Sequence, residues 1–185
     1  MLFVISAPSG AGKTTIIREL FNILPGLRFS VSATTRPKRK IEKEGKDYYF
    51  ISKEEFERKI PKGEFIEWEE VHGYLYGTLK NEVEKYLDNP LDLVFDVDVK
   101  GALNIKKLYP KAASIFIDVP RDELVERLKK RSTESETEIK KRLERMDMEL
   151  SYKNKFDFIV VNRSAPGGIK QAVEEIIKII NKSKA

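Results

Sequence analysis

The sequence predicts an α/β fold, a three-layer sandwich with a central parallel sheet between helices. Three observations carry that prediction. Short, continuous apolar runs alternate with stretches of helical period along the chain. A glycine-rich turn ending in Gly12-Lys13-Thr14 joins the first run to the first helix. At 185 residues, 41% of them hydrophobic, the chain is long enough to bury one sizeable core.

The first apolar run, Leu2 to Ile5, reads as a buried strand. The turn Ser6-Ala7-Pro8-Ser9-Gly10-Ala11-Gly12-Lys13-Thr14-Thr15 follows. Ile16, Ile17, Leu20, Phe21 and Leu24 then recur at helical spacing. Further runs from Leu27 to Ser32, Leu91 to Val97, Ala113 to Val119 and Phe156 to Val161 read as parallel strands, buried on both faces. Helices are expected from Leu79 to Leu87, stopped by Asn89-Pro90, and from about Ala102 to Leu108. Others are expected over Asp122 to Lys130, Glu136 to Tyr152 and Gly168 to Asn181. Two segments depart from this alternation. Residues 33–78 hold short alternating stretches, Asp47 to Ile51 and Phe65 to Val71, around a helix opened by the capping box Ser52-Lys53-Glu54-Glu55. They read as a small inserted subdomain. Residues 121–150 read as a charged helical pair that forms a mobile lid. The chain is thus one domain, with its core at 1–32, 79–120 and 151–185.

Composition narrows the chemistry. Charged residues make up 35% of the chain with both signs interspersed, which fits an ion-pair-rich surface of the kind seen in thermophiles. The net charge of +5 suits anionic substrates such as nucleotides. The chain has no cysteine, which excludes disulfides, thiol catalysis and cysteine zinc sites. No apolar run approaches the roughly 18 residues of a membrane span, and no signal segment opens the chain. The expectation is a cytoplasmic protein without a membrane partner. The sequence carries no signal of oligomeric state.

Strand, glycine-rich turn, Gly-Lys-Thr and helix together form a polyphosphate-binding arrangement, a P-loop. Residues 7–15 form the binding loop: backbone N–H groups at the loop and the helix start face the phosphates, and the helix dipole favours their charge. Lys13 adds a mobile cation, and the Thr14 hydroxyl can ligate Mg²⁺. In a parallel sheet the ligand lies beyond the carboxyl ends of the strands. Asp96 and Asp98, two apart near one such end, fall beside the loop, where an acid supports Mg²⁺. The basic run Arg36-Pro37-Lys38-Arg39-Lys40 suggests a phosphate clamp by Arg36 and Arg39. It does not suggest a nucleic-acid patch, because aromatic residues are not interleaved and Glu42 and Glu44 follow. In Phe65 to Glu70 the alternation puts Ile66 and Trp68 in the core and leaves Glu67 on the exposed face. Arg127, Arg131, Arg142 and Arg145 read, without context, as exposed helix residues paired at i,i+4 with glutamates. His72, the only histidine, is given no role.

Taken together, the ordered motifs resemble the guanylate kinase family over nearly the whole chain. They are Ser9 to Thr14, Ser30 to Arg39, Gly45 to Phe50, Gly63 to Trp68, Gly73 to Thr78, Asp96-Val97-Asp98 with Gly101, and Arg127 to Arg142 with Thr133-Glu134. The resemblance implies a GMP-binding insertion, a helical lid, and transfer of the γ-phosphoryl group of ATP to GMP or dGMP with Mg²⁺. Ser32 and Thr78 would face guanine O6, and Glu67 and Asp98 would accept from its N1–H and 2-amino groups. Arg36, Arg39, Tyr48 and Tyr76 would hold the GMP phosphate. Lys13, Arg39, Arg131 and Arg142 would neutralise charge on the transferring group, while Thr14 and Asp96 would hold the metal. The chain departs from the family pattern at Ala7, Thr78, Lys100, Ser132 and Arg163. A different class, a catalytically inactive guanylate-kinase-like binding module, would dispense with Lys13, Arg131 and Arg142. A P-loop kinase for a phosphorylated pentose would not need Glu67 and Thr78.

Overall fold

The computed structural model describes residues 1–71, 73–87, 91–130 and 136–184, the side chains of 129–130 and 136–138 excepted. Five parallel strands form the central sheet: β1 (Leu2–Ser6), β2 (Leu27–Phe29), β7 (Asp92–Asp96), β8 (Ala113–Asp118) and β9 (Phe158–Val161), in the order β2-β7-β1-β8-β9. Helices α1 (Lys13–Ile23), α4 (Val99–Leu108), α5 (Arg121–Lys130), α6 (Glu136–Ser151) and α7 (Gly168–Lys184) cover its faces. One core, containing Phe3, Ile5, Ile16, Leu20, Ile117 and Ile176, lies on the α1 and α7 side. The other, containing Val4, Phe95, Val99, Ile105 and Phe116, lies on the α4 side. Successive residues of β1 enter opposite cores, which is why the strand is apolar throughout rather than alternating.

A second sheet carries residues of the insertion, in the order β4-β3-β6-β5. Its strands are β3 (Ser32–Thr34), β4 (Tyr49–Phe50), β5 (Phe65–Val71) and β6 (Tyr74–Leu79). It packs on α2 (Lys53–Lys59) through Phe56, Phe65 and Leu75. Ser52 caps α2 as expected, its side chain accepting from the Glu55 N–H at 3.1 Å. Helix α3 (Lys80–Leu87) returns the chain to the central sheet.

Two expectations need correction. The run Leu27 to Ser32 is not one strand. Ser30 still donates to the Val94 carbonyl at 2.9 Å, but the chain then leaves the central sheet, and Ser32–Thr34 pairs antiparallel with Tyr76–Thr78. Leu27 in the first half and Ser30 and Ser32 in the second are buried, while Arg28 is exposed, so the stretch reads as one strand although it serves two sheets. Glu67 and Trp68 are reversed relative to the alternation: Glu67 is buried at 8% exposure and Trp68 stands out at 43%. A bulge between Phe65 and Glu67 shifts the register of β5, so strict period-two counting fails there.

Candidate active site

Three site features converge at the carboxyl ends of β1 and β7. The first is the phosphate loop. Gly10 and Gly12 adopt φ of +87° and +84°, and Gly12 opens α1 from the left-handed region. A side chain at Gly12 would be strained and would also meet Asn162 Nδ2 at 2.9 Å. Residues 7–15 together line a cavity with Val71, Asp98, Arg145 and Glu149. The Lys13 ammonium donates to the Val97 carbonyl at 2.9 Å and pairs with Asp96. The lysine thus bridges the loop and the end of β7. Thr14 stands exposed beside it. Among the described residues no three acidic or histidine side chains cluster as a ready-made metal cage.

The second is an acid-lined cavity between the two sheets. Lys13, Ser32, Tyr48, Glu67, Tyr76, Asp96 and Asp98 all line it. Glu67 Oε1 accepts from the Thr78 hydroxyl and from the Thr78 N–H at 3.1 Å. Its other oxygen faces Gly101, where a Cβ would come within 2.5 Å of Oε2, so only glycine leaves the carboxylate its place. Burial, reinforced by the charges of Asp98 and Glu69 and opposed by the Thr78 hydrogen bonds, pushes the Glu67 carboxyl up to about 7. Asp98 caps α4, its Oδ1 accepting from the Gly101 N–H at 2.8 Å. The cap starts the helix at Val99, three residues before the position its apolar spacing marks.

At the far end of this cavity, Arg36 is held by a two-pronged contact to Glu42 at 2.8 and 3.0 Å. Its Nε donates to the Tyr76 hydroxyl at 3.2 Å. That pairing holds the Glu42 carboxyl below its usual range. Tyr48 packs edge-on against Tyr76 beneath the Arg36 guanidinium, and burial raises its phenol well above the ordinary value. Arg39 is exposed on the adjoining loop, its N–H donating to Glu42 at 2.8 Å. Lys100, which departs from the family pattern, pairs with Glu69 at 2.9 Å, so its charge is compensated locally.

The third is a groove on the other side of the loop, lined by Thr15, Arg127, Asn162, Arg163 and Ser164. Asn162 is buried at the end of β9, and its Nδ2 donates to the Ala11 carbonyl at 2.7 Å. Its Oδ1 is buried with no partner among the described residues. Arg127 makes the expected i,i+4 contact, to Glu123 at 3.5 Å, but it is half-buried rather than solvated. It reaches Ser164 Oγ at 2.9 Å and the Asn162 carbonyl at 3.2 Å. Arg142 is half-buried on α6. Arg131, Ser132, Thr133-Glu134 and His72 lie outside the described residues. The sequence reading did not single out Asn162, Glu42 or Glu149. For Glu149 the available signal was its i,i+4 spacing from Arg145, the same signal that marks a surface pair.

Comparison with known proteins agrees with this geometry. The family model described as guanylate kinase matches residues 1–182. The chain is 47% identical over 185 residues to a guanylate kinase of Thermotoga maritima, covering all of this chain and 87% of the relative. It is 44% identical over 182 residues to one of Chlorobium luteolum, covering 97% of this chain and 90% of the relative. A crystal structure of guanylate kinase from Anaplasma phagocytophilum superposes with a TM-score of 0.78 at 32% identity, covering 98% of this chain and 85% of that one. The loop, the acid-lined cavity and this likeness along the whole chain lead to one conclusion: the chain belongs to the guanylate kinase family.

Proposed function

We propose that this protein transfers the γ-phosphoryl group of ATP to GMP, giving ADP and GDP, with each substrate in its own cavity and the transfer occurring between them. One observation carries the reading: the phosphate-loop cavity and the acid-lined cavity share Lys13 and Asp98. A donor phosphate on the loop and an acceptor nucleotide beside Glu67 would therefore meet at the lysine. ATP is the family's co-substrate. Its base fits the groove beyond the loop, lined by Arg127, Asn162, Arg163 and Ser164.

Glu67 and Asp98 accept from guanine N1–H and the 2-amino group, with Ser32 at O6. Thr78, expected at O6 as well, is fully buried and its hydroxyl donates to Glu67, so it orients that carboxylate instead. Adenine lacks those two donors and would leave the carboxylates unpaired, a penalty that can discriminate by ~10⁴–10⁵. Arg36, Arg39, Tyr48 and Tyr76 hold the GMP phosphate. The Tyr76 oxygen already accepts from Arg36, which leaves its O–H to donate. Phosphoryl transfer asks the protein for alignment and charge neutralisation, and no general base is needed. Lys13 exchanges Asp96 for phosphate oxygens, and Arg39, Arg131 and Arg142 add charge as residues 121–150 close and exclude water. The Thr14 hydroxyl and Asp96 suit Mg²⁺, which takes one or two protein oxygens plus phosphates and water and would neutralise the donor phosphates. In this reading residues 33–78 are the GMP-binding insertion and the location is cytoplasmic. Among the described residues no helix is long and apolar enough to cross a membrane.

The inactive binding module is not favoured, because Lys13 and the loop glycines stand in a formed phosphate cradle. The test is an ADP-release assay with MgATP and GMP, AMP, CMP or UMP offered separately. Turnover confined to GMP and dGMP is expected. Turnover with AMP as fast as with GMP would sink the base-reading role, and GMP binding without turnover would restore the module reading.

A further inference from the structure

We propose that Arg145 is a positioning residue for guanine recognition, holding Asp98 in the base cavity from helix α6 and tying that hold to the phosphate loop. The inference rests on the proposed function above and adds a residue to it. The Arg145 guanidinium lies between two acids: Nε donates to Glu149 Oε1 at 2.9 Å, and Nη2 donates to Asp98 Oδ2 at 3.3 Å. Glu149 is 4% exposed, and its other oxygen accepts the Ser9 N–H of the phosphate loop at 3.0 Å. Asp98 in turn accepts the Gly101 N–H through Oδ1. A continuous relay therefore runs from the loop amide through Glu149, Arg145 and Asp98 to the start of α4. It crosses the seam where the two cavities meet.

An exposed i,i+4 pair of this kind contributes little. This one differs because the glutamate is buried and because the arginine has a second acid 47 residues away in sequence. The consequence for recognition follows from the donors and acceptors. Asp98 and Glu67 share a cavity, so their like charges push the two carboxylates apart. The capping bond restrains only one oxygen of Asp98. The planar guanidinium fixes the second and offsets the repulsion. Each Asp98 oxygen then keeps an acceptor lone pair for a donor from the substrate. Without Arg145, Asp98 keeps its cap alone, and Glu149 becomes an uncompensated carboxylate beside the phosphate loop. Reading of the guanine 2-amino group is thus coupled to the seating of α6, the helix that carries Arg142 one turn earlier.

The test compares GMP with IMP, the same nucleotide without the 2-amino group. KM for GMP and the competitive Ki of IMP are measured in the wild type, Arg145→Gln and Arg145→Lys. The wild type must first phosphorylate GMP, and its failure to do so would count against the proposed function rather than against Arg145. In Arg145→Gln the ratio of IMP Ki to GMP KM is expected to fall about tenfold, the size of one hydrogen bond to a charged group. Arg145→Lys, which keeps the charge but not the fork, should retain part of the preference. An unchanged ratio, or parallel losses for GMP, IMP and ATP, would overturn the proposal. Should Arg145→Gln not fold, Arg145→Lys is judged by the same ratio.

Discussion

At the scale of single residues, Glu67 combines a structural cost with a functional opportunity. Its carboxyl, pushed up to about 7 chiefly by burial, is protonated in the ligand-free protein below that pH. Guanine N1–H is a donor and needs the carboxylate, so binding GMP at pH 6 must expel a proton. KM for GMP is therefore expected to rise about tenfold per pH unit below 7 and to level off above it, while KM for ATP does not follow this profile. The stability of the ligand-free protein moves the other way. The folded-state value lies above the unfolded one, so this contribution is complete below about pH 4.5 and is lost as pH rises to about 7, by roughly 3 kcal/mol. Glu67→Gln should abolish both trends and lower kcat/KM for GMP by at least about 100-fold, because an amide N–H would then oppose a donor. Steady-state kinetics between pH 5.5 and 8.5 check this. A flat KM for GMP in the wild type would remove Glu67 as the acceptor.

At the scale of elements, the site depends on how strand ends are tied to the phosphate loop. The end of β9 supports it through Asn162, whose Nδ2 holds the Ala11 carbonyl and lies just where a Gly12 side chain would go. Asn162→Ala would leave that carbonyl buried without its partner, costing ~1–3 kcal/mol of stability. It should raise KM for ATP more than KM for GMP. Thermal melts and the two KM values test this, and equal changes in both would show that the loop is not what Asn162 serves. The elements themselves were legible to different degrees. β1, β7 and β8 announce themselves because both faces are buried, so their apolar runs are unbroken. The loop is legible because positive φ demands glycine and phosphate binding demands Lys13. The second sheet was harder to read. β3 and β4 have three and two residues, and their pairing partners lie elsewhere in the chain. The bulge in β5 inverted the reading of Glu67 and Trp68, and only the resemblance marked Glu67 as functional. Arg127 and Arg145 look in sequence like surface helix pairs. Both do make those pairs, to Glu123 and Glu149, but their further partners at Ser164 and Asp98 are set by tertiary packing that local spacing does not encode.

At the scale of the whole molecule, the base cavity is walled by two sheets with separate cores. Glu67, Tyr76 and Ser32 come from the second sheet, whereas Asp96 and Asp98 come from the end of the central one and the start of α4. A ligand that bridges both walls adds its binding energy to the folded state alone. By mass action, GMP at 100 times its Kd should stabilise the protein by ~2.7 kcal/mol. For a chain of 185 residues each kcal/mol is worth about 2–4 °C, so a rise in Tm of roughly 5–10 °C is expected. AMP at the same concentration should give little, because its base offers no donor to the acid pair. Differential scanning fluorimetry at pH 8, where Glu67 is ionised, measures this directly. The shift should diminish at pH 6, where binding must also displace a proton. A strong shift with ATP but none with GMP, in a protein that turns GMP over, would mean that the two walls approach only after the phosphate loop is filled. Substrate order would then be set by the loop, with the acid pair assembled second.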